Sequence, residues 1–149
     1  MLIALDGVRD PGNVGTIVRS AAASGADGLC LMPECADPFS GKAVRAAMGA
    51  HFRLPLLSTD WPFVETDLAG LNVVVASSDA DLVYDQWDWR QHSLIVIGSE
   101  AEGVSEAAAR RARAAVKIPM AGETESINAA AAAAILLFYA ARVRSSPTA

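Results

Sequence analysis

The chain has 149 residues, 52% of them hydrophobic and 19% charged, with a formal net charge of −5. That length supports one domain with a sizeable core, and that composition excludes a disordered or low-complexity chain. The negative balance excludes a globally basic nucleic-acid binder, so any such partner must be held by a local patch or by another domain or subunit.

The first predicted element is the strand "LIAL", which begins at Leu2. Asp6, Arg9 and Asp10 break the apolar N-terminus almost at once, so no signal peptide is legible, and Met1 is either a minimal start or the cut edge of a longer protein. The stretch "DGVRDPGNVGTIVRSAAASG" then reads as a turn and a helix. Asp10-Pro11-Gly12 reverses the chain, Asn13 is placed to cap, and Gly25 ends the helix. Arg19 is the only charge between Asp10 and Asp27; it is either a guanidinium snorkelling to solvent or a functional group. Gly15, one turn earlier, leaves room for a partner to approach.

The strand "GLCLM" carries Cys30, and Cys35 follows beyond Pro33. Two cysteines and two histidines are too few for a zinc set, and no metal is expected; a reduced, cytoplasmic chain is the simplest reading. The helix "GKAVRAAMGA" and strand "RLPLL" lie in a stretch, Pro38 to Thr59, without one acidic residue but with Lys42, Arg45 and Arg53. The strand "LNVVVAS" leads into Asp79, Asp81, Asp85 and Asp88, a compact acidic loop. Both charged stretches read most simply as solvated surface.

"SLIVIG" runs straight into Gly98, Glu100 and Gly103, a turn with a surface Glu or a ligand-binding loop. Glycines at the carboxyl end of a strand let a ligand touch backbone, and open α/β sheets bind ligands at that edge. The spacing is not that of a dinucleotide fingerprint. The helix "SEAAARRARA" and the strand "VKIPM" follow. The last element is the alanine-rich run Ala129–Ala141, too short for a bilayer span of about 20 residues and best read as a tightly packed helix. At its head stand Gly122, Glu123, Glu125, Ser126 and Asn128, more polar groups than one cap requires. Residues two apart do not share a helix face, so Ser126 and Asn128 converge only if Asn128 is near the N-cap and Ser126 is still in the loop. Strand and helix alternating throughout predict an α/β fold, a mostly parallel sheet flanked by helices, in one domain over residues 1–149.

Taken in order, these junctions resemble the SpoU (TrmH-like) family of RNA ribose methyltransferases within the SPOUT superfamily. Asn13, Gly15 and Arg19 after "DGVRDPG" match its first motif, and Gly98, Glu100 and Gly103 its second. Ile118, Pro119, Met120, Gly122, Ser126, Ile127 and Asn128 match its third. "VRAAMGAHFRLPL" resembles the segment between the first two, and the likeness runs from about residue 3 to residue 144. Two positions depart from the pattern: Ala129-Ala130 stand where the family often has Val-Ser, and Ala47 where Ser is usual.

The resemblance implies a C-terminal deep trefoil knot that binds S-adenosylmethionine, lined by Gly98, Glu100, Gly103, Ile118, Met120, Ser126, Ile127 and Asn128. It implies methyl transfer to a ribose 2′-hydroxyl of tRNA or rRNA, with Arg19, Asn13, Glu100, Ser126 and Asn128 as the catalytic set. A free guanidinium is a poor base, so Arg19 is either the proton acceptor assigned in the family or a stabiliser of phosphate and alkoxide. RNA contact is expected through Arg9, Lys42, Arg45 and Arg53, with DNA unreactive for want of a 2′-hydroxyl. A homodimer is implied, with the site beside the subunit interface and the small-residue faces of the first and last helices packed there. Many members carry an N-terminal RNA-binding extension, which this sequence lacks. The missing extension, the acidic balance and Ala130 motivate an alternative: a non-catalytic, dimerising module that only binds the cofactor. A third reading, an unrelated nucleotide-binding α/β protein, requires preference for adenosine nucleotides.

Overall fold

The computed structural model describes residues 1–122 and 124–146; Glu123, one of the polar residues singled out above, lies outside them. Among the described residues seven strands form one sheet: β1 (Leu2–Asp6), β2 (Gly28–Leu31), β3 (Leu56–Ser58), β4 (Asn72–Ala76), β5 (Leu82–Val83), β6 (Ser93–Gly98) and β7 (Ala114–Lys117). Every pairing is parallel, in the spatial order β3-β2-β1-β6-β4-β7-β5. Among the described residues there are five α-helices: α1 (Pro11–Ala23), α2 (Gly41–Ala47), α3 (Trp61–Asp67), α4 (Glu106–Arg111) and α5 (Ala129–Ser145). The parallel α/β architecture is the one expected.

Both faces of the sheet are buried, which is why its central strands read as unbroken apolar runs rather than alternating ones. Side chains of one strand part to opposite sides. Ile95 and Ile97 of β6 join Ile3, Leu5 and Val74 in a core under α1 and α5. Leu94 and Val96 join Ala4, Val73 and Val75 in a second core that includes Trp61 and Val64 of α3 and Ala108 of α4.

Local chemistry sets the helix ends. Asp10, not Asn13, caps α1: its carboxylate accepts from the Asn13 N–H at 2.9 Å, and Pro11 occupies the first turn, where its missing N–H costs nothing. Asn13 is thereby freed for another task. Gly25 does end this helix, at φ +73°, with Ala26 N–H reaching the Ala21 carbonyl and Gly25 N–H the Ala22 carbonyl.

Four differences from the sequence reading have local causes. The short helix α3 and two-residue strand β5 carry too few residues for a periodic signal. The strand expected in "VKIPM" closes at Lys117, leaving Ile118, Pro119 and Met120 outside it. The helix expected over "GKAVRAAMGA" stops at Ala47, because Met48 and Gly49 both turn left-handed. Finally, part of the small-residue faces expected at a subunit contact packs inside the chain: Ala21 of α1 and Ala129, Ala130, Ala133 and Ala140 of α5 are buried in the same core, while Ala23 and Ala131 are exposed.

Candidate active site

β4, β6 and β7 all end on the same edge of the sheet, where open α/β proteins bind ligands. A cleft of about 830 Å³ opens there. Ala76, Ser77, Ser78 and Asp79 line it beyond β4, residues 97–104 beyond β6, and residues 116–120 beyond β7. Thr124, Glu125, Ser126 and Ile127 close it, with Ala129 and Ala132 of α5 behind. Seven of the eight residues expected around a cofactor therefore share one cleft: Gly98, Glu100, Gly103, Ile118, Met120, Ser126 and Ile127. Asn128, the eighth, is not in the lining. It sits at the head of α5 and reaches Glu100 instead.

That contact belongs to a compact polar corner. Asn128 Oδ1 accepts from the N–H groups of Ala130 and Ala131, at 2.8 and 3.3 Å, so it is the α5 N-cap. Its Nδ2 donates to Glu100 Oε1 at 2.7 Å and to Asn13 Oδ1 at 3.0 Å. Asn13 Nδ2 and the Ala129 N–H also donate to Glu100 Oε1, at 2.9 and 3.2 Å. One carboxylate oxygen thus gathers three donors at the head of α5. Asn128 is both cap and cross-link, while Ser126 remains in the loop as expected, with no hydrogen bond among the described residues.

Two of the glycines singled out in the sequence, Gly98 and Gly15, leave room for this chain's own backbone. At Gly98 a Cβ would overlap the Gly103 carbonyl and the Val104 nitrogen, because the loop folds back and bridges Ser99 to Gly103 with bonds of 2.9 and 3.0 Å. Gly103 closes that turn at φ +70°. At Gly15 a Cβ would overlap the Ala43 carbonyl oxygen and meet Ala46 Cβ at 2.8 Å, so the partner that approaches is α2.

Arg19 lies on the exposed side of α1 with Thr16 and Ala23, and outside the cleft lining. Among the described residues it makes no hydrogen bond or ion pair. It is six residues beyond Asn13, about 9 Å along the helix axis. The four expected RNA contacts divide into pairs. Arg9 is bound by Glu34 and lies 3.8 Å from Glu102, contacts that hold its guanidinium above its ordinary pKa. Lys42 is paired with Asp10 at 2.6 Å and holds that carboxyl below its usual range. Arg45 and Arg53 are exposed and have no such partner among the described residues.

Two acids of the site escaped the sequence reading. Asp79, read as part of a solvated acidic loop, lines the cleft. The signal was its place just past the apolar strand "VVVA", the same logic that drew attention to Gly98. Asp6, at the end of β1, is buried, and its Oδ2 accepts the Ser105 N–H at 2.6 Å, fixing the far end of the Gly98–Ser105 loop.

Residues 1–138 match the family model described as the SpoU rRNA Methylase family. The chain belongs to that family. Among SpoU relatives, the 23S rRNA (guanosine(2553)-2′-O)-methyltransferase RlmP of Bacillus subtilis is 33% identical over 140 residues, covering 93% of this chain and 56% of that protein. A 23S rRNA (uridine(2479)-2′-O)-methyltransferase of Streptomyces viridochromogenes is 37% identical, covering 95% and 52%. The crystal structure of the SpoU methyltransferase AviRb from the same organism, in complex with AdoMet, superposes with a TM-score of 0.92 at 35% identity, covering 99% of this chain and 59% of that one. An AdoMet-bound rRNA methyltransferase from Sinorhizobium meliloti gives 0.90 at 40% identity, covering 97% and 57%. The SpoU chain described here spans about half the length of the curated relatives it matches. No helix among its described residues is long and apolar enough to cross a membrane.

Proposed function

We propose that this SpoU chain is the catalytic domain of a cytoplasmic RNA 2′-O-ribose methyltransferase that uses S-adenosylmethionine. The observation that carries the reading is the shared cleft of about 830 Å³ beside the Asn13–Glu100–Asn128 corner. Its volume falls within the roughly 300–1,000 Å³ typical of small-molecule sites. Its chemistry fits the cofactor: Ile97, Ile118, Met120 and Ile127 offer an apolar bed for an adenine ring, and Asp79 and Glu125 offer negative charge to an ammonium and a sulfonium. The threaded, knotted C-terminal segment expected from the resemblance belongs to the same reading.

The cofactor supplies an activated methyl group; the chain must align a ribose oxygen with it and manage a proton. Glu100 is held by three donors from two helices, so its first task is to lock α1, α5 and the Gly98–Gly103 loop in one geometry. Ser126, without a hydrogen bond among the described residues, offers its hydroxyl in the cleft wall to orient the ribose. Arg19 brings a guanidinium to hold the neighbouring phosphate and stabilise negative charge as it develops on the 2′-oxygen. Because Arg19 is outside this chain's own cleft lining, we assign its delivery to a homodimer that places the site beside the subunit interface. The surface of α5 supports that assignment, with Ile135 and Phe138 exposed at 38% and 49% beyond the alanines packed inside.

The substrate is RNA, tRNA or rRNA, and DNA is unreactive because the accepting hydroxyl is absent. The test is incubation with ribosomal and transfer RNA and methyl-labelled cofactor. Label is expected in ribose-methylated nucleosides, and label in base-methylated nucleosides contradicts the assignment.

A further inference from the structure

Outside the cleft the most unusual surface is the turn after α2. Phe52 is 94% exposed, Met48 67% and Phe39 64%, three large apolar side chains in solvent on a chain with only four phenylalanines. The turn is built to hold them there. Met48 adopts a left-handed backbone at φ +50°, which is rare and costly for a residue other than glycine, and Gly49 follows at φ +79°. The Ala50–Phe52 3-10 turn then forms with Phe52 N–H on the Gly49 carbonyl. Phe39 is seated against His51, ring centroids 5.2 Å apart, and His51 Nε2 lies 2.7 Å from the Pro38 carbonyl oxygen. None of these side chains lines the cleft beyond β4, β6 and β7.

Charge distinguishes this surface from an ordinary apolar patch. Arg45 and Arg53 flank it, exposed and without an ion pair among the described residues, in a stretch with no acid from Pro38 to Thr59. The acids that bound the stretch cap backbone, Asp37 accepting the Phe39 N–H and Asp60 the Phe63 N–H, and Asp10 holds Lys42. Projecting aromatic rings beside unpaired guanidinium groups match an unpaired RNA strand, whose bases stack on rings while its phosphates pair with arginine.

We infer that the Phe39–Phe52 surface is a stacking platform for single-stranded RNA flanking the methylated nucleotide, with Phe52 as its principal ring. The inference rests on the RNA reading above. The platform is connected to the polar corner: Lys42 at the head of α2 pairs with Asp10, the cap of the helix that carries Asn13. Seven residues of α2, about 10 Å of helix, separate the Met48 turn from that junction.

Fluorescence anisotropy with a labelled oligouridylate decamer and its abasic counterpart tests the platform, since the two share phosphates but only one has bases. Phe52→Ala is expected to weaken decamer binding about tenfold, the effect of one lost stack, and to leave abasic binding unchanged, with Phe52→Trp restoring wild-type affinity. Equal affinities of wild type and Phe52→Ala for the decamer overturn the inference. So does an equal loss on both oligonucleotides. A change of association state for Phe52→Ala in sedimentation velocity overturns it too, because a second copy is then the occupant. Calorimetric titration of S-adenosylmethionine into the same samples reports separately on the cleft, so failure of that reading is told apart from failure of this one.

Discussion

Asn128 Nδ2 lies 2.7 Å from Glu100 Oε1 while Asn128 Oδ1 caps α5, so one amide joins the last helix to the loop after β6. Each end of that amide has a different job, and substitution separates them. Asn128→Ser keeps a capping oxygen and loses the donor to Glu100; its stability is expected to stay within about 0.5 kcal/mol of wild type, while cofactor affinity falls. Asn128→Ala loses both and is expected to cost about 1 kcal/mol more. Asn128→Asp keeps the cap but sets a second carboxylate against Glu100, and is expected to lower both stability and affinity. Urea unfolding and calorimetry on the three variants check the order.

Gly98→Ala is expected to destabilise by roughly 3 kcal/mol and to weaken cofactor binding, since the new methyl meets backbone of Gly103 and Val104 rather than a movable side chain. Gly15→Ala is expected to cost a similar amount by forcing α1 from α2, with a smaller effect on cofactor affinity. Chemical denaturation of the two variants, paired with titration of the cofactor, measures both.

Arg19→Ala is expected to unfold within about 0.5 kcal/mol of wild type, as a substitution at an exposed site without a hydrogen-bond or ion-pair partner among the described residues. It is nevertheless expected to reduce methyl transfer by at least about a hundredfold, the scale of losing one preorganised charge-stabilising group. Wild-type turnover in a single-turnover assay removes Arg19 from the mechanism.

Burial pushes both thiols up from their ordinary pKa, Cys30 inside the sheet and Cys35 with its Sγ donating to the Leu5 carbonyl at 3.1 Å. Below the raised values the thiolate is scarce, so neither is a ready nucleophile near neutral pH. Slow reaction with a thiol reagent in the native state and rapid reaction of two thiols in urea is the expected pattern.

Much of this was legible in one sequence because the informative residues sit at strand ends. The apolar runs gave the central strands, and the excess of polar groups before the alanine run located the corner that Asn128 occupies. What escaped was long-range partnering. Asp10 neutralises Lys42 across 32 positions and Glu34 neutralises Arg9 across 25, so half of the expected RNA contacts were already engaged. Gly15 and Gly98 were flagged as points of close approach, yet what approaches is the chain's own backbone, which only the folded geometry reveals. Asn13 was read as a cap because Asp10 was assigned to the turn; relieved of capping, it reaches Glu100.

Methyl transfer to a ribose 2′-oxygen is read out by nucleoside mass spectrometry of RNA treated with the full-length gene product and deuterated-methyl cofactor. A labelled 2′-O-methylnucleoside is expected with wild type and none with Arg19→Ala. Deuterated methyl groups on bases alone, or no labelled nucleoside from any ribosomal or transfer RNA despite measured cofactor binding, would contradict it.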